Sequence, residues 1–257
     1  MRKWLVSCTL VLSCLASVAM AAAPVQGTDY ELLNPSTATS NPAKIVVTEF
    51  FSYQCPHCYQ FSSLINSWVA KLPADVVFER VPVSFGRPDW ASIGQAFYSL
   101  QAMNKLDAKM DAAIFNAIHE QRIRLSDVSS IADWLTKQGV NGGEFTEMYN
   151  SFGVKMSMNR AEQAAPANRV EAVPTLIIDG KYKVLGNDHV SQLAIADQLI
   201  AMVRTARGMP SPTVKTTATA TESPLAVKNA KVRATQSPKT KVVKVKTVAS
   251  TSIASSR

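Results

Sequence analysis

Apolar positions recur along this chain in two rhythms. Lys44–Phe51 is β-branched, aromatic and nearly continuous in apolar character, the pattern of a strand buried on both faces. From Cys55 to Lys71 the period lengthens: Phe61, Leu64, Ile65, Trp68, Val69 and Leu72 fall at helical spacing, and Pro73 ends the run. Val76–Val83 predicts a second strand. The stretch 89–168 carries no strand pattern but several helical ones, over 89–104, 107–122, 126–139, 143–151 and 153–165, with Asp89, Asp107 and Ser126 as candidate N-caps. Thr175–Asp179 predicts a third strand, Asp179-Gly180 a hairpin turn, Lys181–Leu185 a fourth strand, and His189–Arg207 a last amphipathic helix. The order β-α-β, helical block, β-β-α predicts one α/β sheet with helices on both faces and an inserted helical domain between its second and third core strands.

Both ends of the chain lack these rhythms. Arg2 and Lys3 precede an apolar run through Val18, followed by Ala19-Met20-Ala21 and Ala21-Ala22-Ala23, the charge–apolar–small order of a cleaved Sec-type signal peptide at 1–23. The run is short for a bilayer span. Cleavage after Ala21 or Ala23 would place the mature chain in the periplasm. Residues 24–43 form a polar lead-in whose one ordered candidate is Tyr30–Leu33. Beyond Gly208, Thr, Ala, Val, Lys, Ser and Pro dominate and aromatics vanish, so 208–257 is expected to be disordered.

Charge changes its meaning once it is divided in this way. The formal net charge of +8 suggests a nucleic-acid binder, but residues 205–257 hold ten Lys/Arg against Glu222 alone, whereas residues 24–204 carry 15 basic and 18 acidic groups. The folded body is mildly acidic, so no nucleic-acid partner is expected. The basic tail suits electrostatic association with an anionic envelope surface.

Removal of the signal takes Cys8 and Cys14 with it and leaves Cys55 and Cys58 as the cysteines of the mature chain. In Cys55-Pro56-His57-Cys58, Tyr59 stands where a c-type haem site needs His, and His119 and His189 offer no ligand pair for structural zinc. As a staple, so short a loop contributes about 2 kcal/mol. A C-x-x-C between a strand and a helix points to thiol–disulfide exchange. Cys55 would sit at the helix N-terminus, where unpaired N–H groups and the helix dipole stabilise a thiolate. His57 would add a hydrogen bond or charge, Pro56 would fix the first turn at no cost in hydrogen bonds, and the more buried Cys58 would resolve what Cys55 forms. Pro174 follows Val173 just before the third strand. An X-Pro bond is the one bond that readily goes cis, and such a bend would leave the Val173 backbone open to an extended substrate. Glu49, a carboxylate in a buried strand run, is a candidate for moving protons as the thiols change state, or else faces water at the strand end; Arg80 is its candidate partner.

The segment Phe50-Phe51-Ser52-Tyr53-Gln54-Cys55-Pro56-His57-Cys58-Tyr59-Gln60-Phe61 resembles the active-site segment of the DsbA family of periplasmic disulfide oxidoreductases, and Val173-Pro174-Thr175 resembles that family's cis-proline loop. The likeness spans roughly residues 44–207. It implies a thioredoxin fold with an inserted helical domain, catalytic Cys55 and Cys58, a Val173-Pro174-Thr175 loop beside them that binds substrate, and no metal, nucleotide or haem cofactor. It also implies oxidation of reduced, newly exported proteins and reoxidation by a DsbB-like, quinone-linked membrane partner. Two features depart from the family: Ser62 stands where an acidic residue is usual early in the active-site helix, and the polar Tyr53-Gln54 pair replaces a more aromatic one. The sequence therefore leads to the expectation of an exported oxidase that donates its Cys55–Cys58 disulfide. The alternatives are a reductase or isomerase of the same fold, or a non-enzymatic protein that adheres to the envelope through its tail.

Overall fold

The computed structural model describes residues 23–212; the expected signal segment up to residue 22 and the tail from residue 213 onward lie outside the described residues. Five strands, β1 (Tyr30–Leu32), β2 (Ile45–Phe51), β3 (Val76–Pro82), β4 (Thr175–Ile178) and β5 (Tyr182–Val184), form one sheet in the order β1-β5-β4-β2-β3. The central strand β2 runs parallel to β3 and antiparallel to β4, which continues into β5 by a hairpin. Among the described residues seven helices surround the sheet: α1 (Pro56–Val69), α2 (Pro88–Ala102), α3 (Ala108–His119), α4 (Val128–Lys137), α5 (Gly142–Asn150), α6 (Phe152–Ala167) and α7 (His189–Ala206). This is the thioredoxin arrangement with α2–α6 inserted between the second and third core strands.

The two-residue period of β2 explains how the layers are sorted. Ile45 and Val47 point to one face, where they pack with Phe61 and Ile65 of α1 and Ala196, Leu199 and Val203 of α7. Phe50 points to the other, against Ile177, Val83, Ala165 and Val170 near α6. By the same alternation Glu49 and Phe51 lie on the α1 face. Phe51 and Tyr53 continue from the strand end into the core of the insertion, with Phe97, Leu100, Ile114, Phe115, Trp134 and Phe145, and both active-site cysteines belong to that cluster. The insertion is therefore packed directly beneath the dithiol.

The local chemistry shifts several expected boundaries. Tyr30–Leu32 of the polar lead-in is a fifth strand, paired antiparallel to β5; three residues are too few to show alternation. Arg87, not Asp89, stands at the N-cap position of α2 and makes no side-chain capping bond, because Pro88 occupies the first helical position, where its missing N–H costs nothing. At α4 the cap is Asp127, whose carboxylate accepts from the Ser130 backbone N–H at 3.0 Å while Ser130 Oγ accepts from the Asp127 N–H; the expected Ser126 hydroxyl only donates to Asp127. Helix α6 extends to Ala167 with Pro166 in its last turn. The body also reaches past Arg207. That side chain donates to the Pro42 and Lys44 carbonyls and pairs with Asp179, and Met209 packs on the α7 side of the core.

The β4–β5 turn tests how this frame is held. Asp179 and Gly180 both have positive φ, 58° and 63°, and the Gly180 carbonyl accepts from the Thr37 N–H at 2.8 Å. A Cβ on Gly180 would collide with the Thr37 carbonyl oxygen, whereas one on Gly139, also at positive φ, would meet nothing. Gly180→Ala should therefore lose about 2 kcal/mol or more, seen as a fall in Tm of roughly 4–8 °C. Gly139→Ala should lose about 1 kcal/mol, the left-handed backbone cost alone. Equal losses in thermal melts would show that the lead-in does not press on the turn.

Candidate active site

Strand β2 ends at Phe51, and the loop Ser52–Gln54 delivers Cys55 as the N-cap of α1, with extended backbone angles and Pro56 at the first helical position. The Ser52 carbonyl accepts from the Cys55 N–H at 3.1 Å, and the Ser52 hydroxyl accepts from the Gln54 N–H at 3.2 Å, so the loop is tied back on itself. Cys55 and Cys58 are both free thiols, 5% and 0% exposed. His57 and Pro56 are exposed on the first turn.

The environment separates the two sulfurs. The Cys58 thiol donates to the Cys55 sulfur; together with the N–H groups of Cys58 and His57 and the charge of His57, it holds Cys55 down at about 6 against the opposing effect of burial. Burial, followed by the same hydrogen bond, pushes Cys58 far above the ordinary thiol range. One sulfur is set up to be a thiolate and the other to keep its proton. A helix N-terminus supplies the N–H groups for the first, and one helical turn of depth accounts for the second.

The cis-bonded Val173-Pro174 pair lies across from the dithiol, and the Cys55 thiol donates to the Val173 carbonyl at 3.3 Å. Thr175 opens β4 opposite Phe50, and its hydroxyl donates to the Ala172 carbonyl at 2.7 Å, bracing the loop. The structure thus brings Cys55, Cys58, His57, Pro56, Val173 and Pro174 to one place.

Glu49 lies below them and does not face water: it is 0% exposed. Arg80 on β3, at the paired register position, donates from Nε to Glu49 Oε2 at 2.7 Å. Burial raises the Glu49 pKa, and its charge is felt at Cys58. The same guanidinium donates from Nη1 to Asp111 Oδ1 of α3 at 2.6 Å, and that oxygen also accepts from the Tyr53 hydroxyl at 2.6 Å. The flat face of the guanidinium lies 3.7 Å from the Phe51 ring centroid. Asp111 is not among the candidates the sequence singles out, although it carries a signal: it occupies the buried stripe of α3 with Ile114, Phe115 and Ile118, at positions i, i+3, i+4 and i+7. His119, which the sequence offers no partner as a zinc ligand, has a structural place. Its Nε2 is 2.8 Å from the Tyr53 carbonyl, and its ring stacks on Tyr59, which donates to Glu120 at 2.8 Å. Ser62, at the departure from the family pattern, donates to the Tyr59 carbonyl. Among the described residues no cluster of His, Cys, Asp and Glu is arranged to hold a metal ion.

The profile of the DSBA-like thioredoxin domain family matches residues 46–196. The chain belongs to that family. It is 41% identical over 211 residues to the thiol:disulfide interchange protein DsbA of Pseudomonas syringae, an alignment covering 80% of this chain and 98% of the relative. The DsbA of Burkholderia cepacia is 40% identical, with 71% and 87% covered. Among solved structures, Pseudomonas aeruginosa DsbA superimposes with a TM-score of 0.68 at 38% identity, covering 71% of this chain and 95% of that one. The Xylella fastidiosa oxidoreductase DsbA gives 0.67 at 30% identity, covering 72% and 100%. Family membership and the dithiol together make this protein a thiol–disulfide oxidoreductase.

Two outcomes follow from the way the Cys55 thiolate is held. In thiolate-absorbance titrations, Cys58→Ala should raise the Cys55 pKa more than His57→Ala does, because the Cys58 thiol is its largest support; the reverse order would make His57 the main one. The folded pKa of Cys55 lies below its ordinary 9.0, at about 6, so the stability it lends the reduced protein is complete above 9.0 and disappears as pH falls through 6. The Tm advantage of the reduced wild type over Cys55→Ala should shrink across that interval; a constant difference would show that the thiolate is not stabilised by folding.

Proposed function

We propose that this oxidoreductase is an exported oxidase that passes its Cys55–Cys58 disulfide to reduced cysteines of newly translocated proteins. The observation that carries the reading is the asymmetry of the dithiol, with an accessible-side sulfur at the helix N-terminus and a buried sulfur one turn below it. A stabilised Cys55 thiolate favours the reduced protein, and a couple whose reduced form is favoured is a strong oxidant. A substrate thiolate attacks Cys55 Sγ and forms a substrate–Cys55 bond. The Cys55–Cys58 bond breaks, and its electron pair goes to Cys58, which takes up a proton. A second substrate thiolate attacks the substrate sulfur of this mixed disulfide and releases the Cys55 thiolate. The substrate loses two electrons and the protein gains them, and a membrane oxidase linked to a quinone, of the DsbB kind, would restore the disulfide.

In this scheme Cys55 receives the substrate sulfur, Cys58 leaves and is the thiol that resolves the mixed disulfide when the step runs backwards, His57 and Pro56 support the thiolate turn, and Val173 and Pro174 form the edge along which an extended substrate lies. Thr175 holds that edge in shape and Glu49 exchanges a proton with Cys58. The leader 1–23 would be cleaved on export to the periplasm, ahead of the lead-in 24–43. Among the described residues no helix is long and apolar enough to cross a membrane. The basic tail would hold the enzyme near anionic envelope surfaces by salt-screened attraction, apart from the chemistry.

Acid quenching and alkylation of cells would read the resting state. An oxidase is found mostly as the disulfide, and a mostly reduced pool would point to a reductase or isomerase. In the same cells, Cys58→Ala should accumulate reducible adducts with exported proteins and Cys55→Ala should not; the opposite result would exchange the roles of the two sulfurs. A chain ending at Pro212 should oxidise a dithiol peptide at the full-length rate and lose salt-sensitive binding to anionic phospholipid vesicles. Unchanged vesicle binding would remove the tail from that role.

A further inference from the structure

Resting on that reading, we propose that Asp111 is a positioning residue of the exchange reaction, which by sharing the Arg80 guanidinium leaves Glu49 protonated and able to hand its proton to Cys58 as the disulfide opens. Two carboxylates meet one buried cation here. If both were ionised, the network would carry a net negative charge directly below a sulfur that must leave as an anion. In so buried a setting, one of the two keeps a proton.

Geometry decides which one. Asp111 Oδ1 accepts two short hydrogen bonds, from Arg80 Nη1 and from the Tyr53 hydroxyl. Asp111 also lines a cleft of about 670 Å³ together with Arg80, Phe78, Phe97 and Leu106, so water reaches its side of the network. Each carboxylate has one oxygen without a hydrogen-bond partner among the described residues, Oε1 of Glu49 and Oδ2 of Asp111, but Glu49 is fully enclosed and accepts a single hydrogen bond, at Oε2. Burial favours the neutral form of a carboxyl, and Glu49 is the more enclosed of the two with the fewer donors, so the proton resides on Glu49. The groups facing Glu49 are Arg80 from β3, Asp111 from α3, Tyr53 from the active-site loop and Cys58 from α1. Tyr53 stays protonated, since burial and Asp111 raise it well above the ordinary tyrosine range, so it remains a donor to Asp111.

The proton balance of the first exchange step follows. The substrate thiolate bonds to Cys55 Sγ, the old S–S pair moves to Cys58 Sγ, and the Glu49 proton moves to Cys58. Glu49 is left as a carboxylate on Arg80 and regains its proton from water before the next turnover. Without Asp111, Arg80 would serve Glu49 alone, and Glu49 would be a permanent ion pair with no proton to give.

The test is the pH profile of that step. The oxidised protein is reduced by excess dithiothreitol, and the rate of disulfide opening is divided by the dithiothreitol thiolate concentration at each pH. In the wild type this quotient should fall as pH rises through the titration of Glu49. In Asp111→Asn the fall should move to the acid side by about one pH unit or more, and Asp111→Glu should restore it. Glu49→Gln should abolish the fall and make Asp111→Asn silent. A residue that merely fills space would change Tm and overall rate but not the position of the profile, so an Asp111→Asn curve that superimposes on the wild type after scaling overturns the inference. If Asp111→Asn does not fold, infrared difference spectra decide: a protonated-carboxyl band at neutral pH, present in the wild type and lost in Glu49→Gln, supports the proposal, and its absence from the wild type refutes it. Failure of dithiothreitol to open any disulfide would instead refute the exchange chemistry itself.

Discussion

A thiolate at a helix N-terminus stays stabilised only while the first N–H groups of the helix remain aimed at it, and much of this fold holds α1 in that attitude. Pro56 stiffens the first turn. Phe61 and Ile65 fasten the helix to the sheet face built by Ile45 and Val47. Tyr59, stacked on His119 and hydrogen-bonded to Glu120, fastens the same helix to the insertion. Cys55 therefore gains its N–H groups from a turn that two separate cores immobilise, and Cys58, on the inward side of that turn, is cut off from water by the same packing. The difference in acidity between the sulfurs follows from their depth in one helical turn.

The insertion is part of the site and not a decoration on it. It supplies Phe115 and Phe97 against Phe51 and Tyr53, and it brings Asp111 to Arg80. A buried cation with two carboxylates is a poor device for stability, since desolvation offsets much of the attraction. Its position below Cys58 gives it a use: it stores a proton where a buried leaving group needs one. Arg80 suits this better than Lys would, because its fork reaches both carboxylates while its flat face lies on Phe51.

How much of this was legible in the sequence depended on the distance over which each feature is encoded. The strand β2, the helix after Cys55, the Asp179-Gly180 turn and the C-x-x-C were readable because their signals lie within a few consecutive residues. Val173-Pro174-Thr175 was readable through family likeness, and its nearness to Cys55 is a tertiary fact spanning 118 positions. The lead-in strand Tyr30–Leu32 was too short for a period and exists through its pairing with β5. The start of α2 lies two residues before the expected Asp89 because Pro88 fixes the first turn, and the cap of α4 lies one residue past Ser126 because Asp127 takes the Ser130 N–H. Asp111 and Tyr53, 58 residues apart, gave only the indirect clue of an acid on an apolar stripe.

The central claim, that the reduced protein holds Cys55 as a thiolate and Cys58 as a thiol, is tested most directly by the reduction potential of the couple, measured against a glutathione buffer across pH. If both sulfurs bind protons on reduction, the potential falls by about 59 mV per pH unit; if Cys58 alone does, the slope is about 30 mV. The account predicts the steeper slope at acid pH, a break near the Cys55 value of about 6, and the shallower slope up to pH 8. A steep slope continuing unbroken to pH 8 would contradict it.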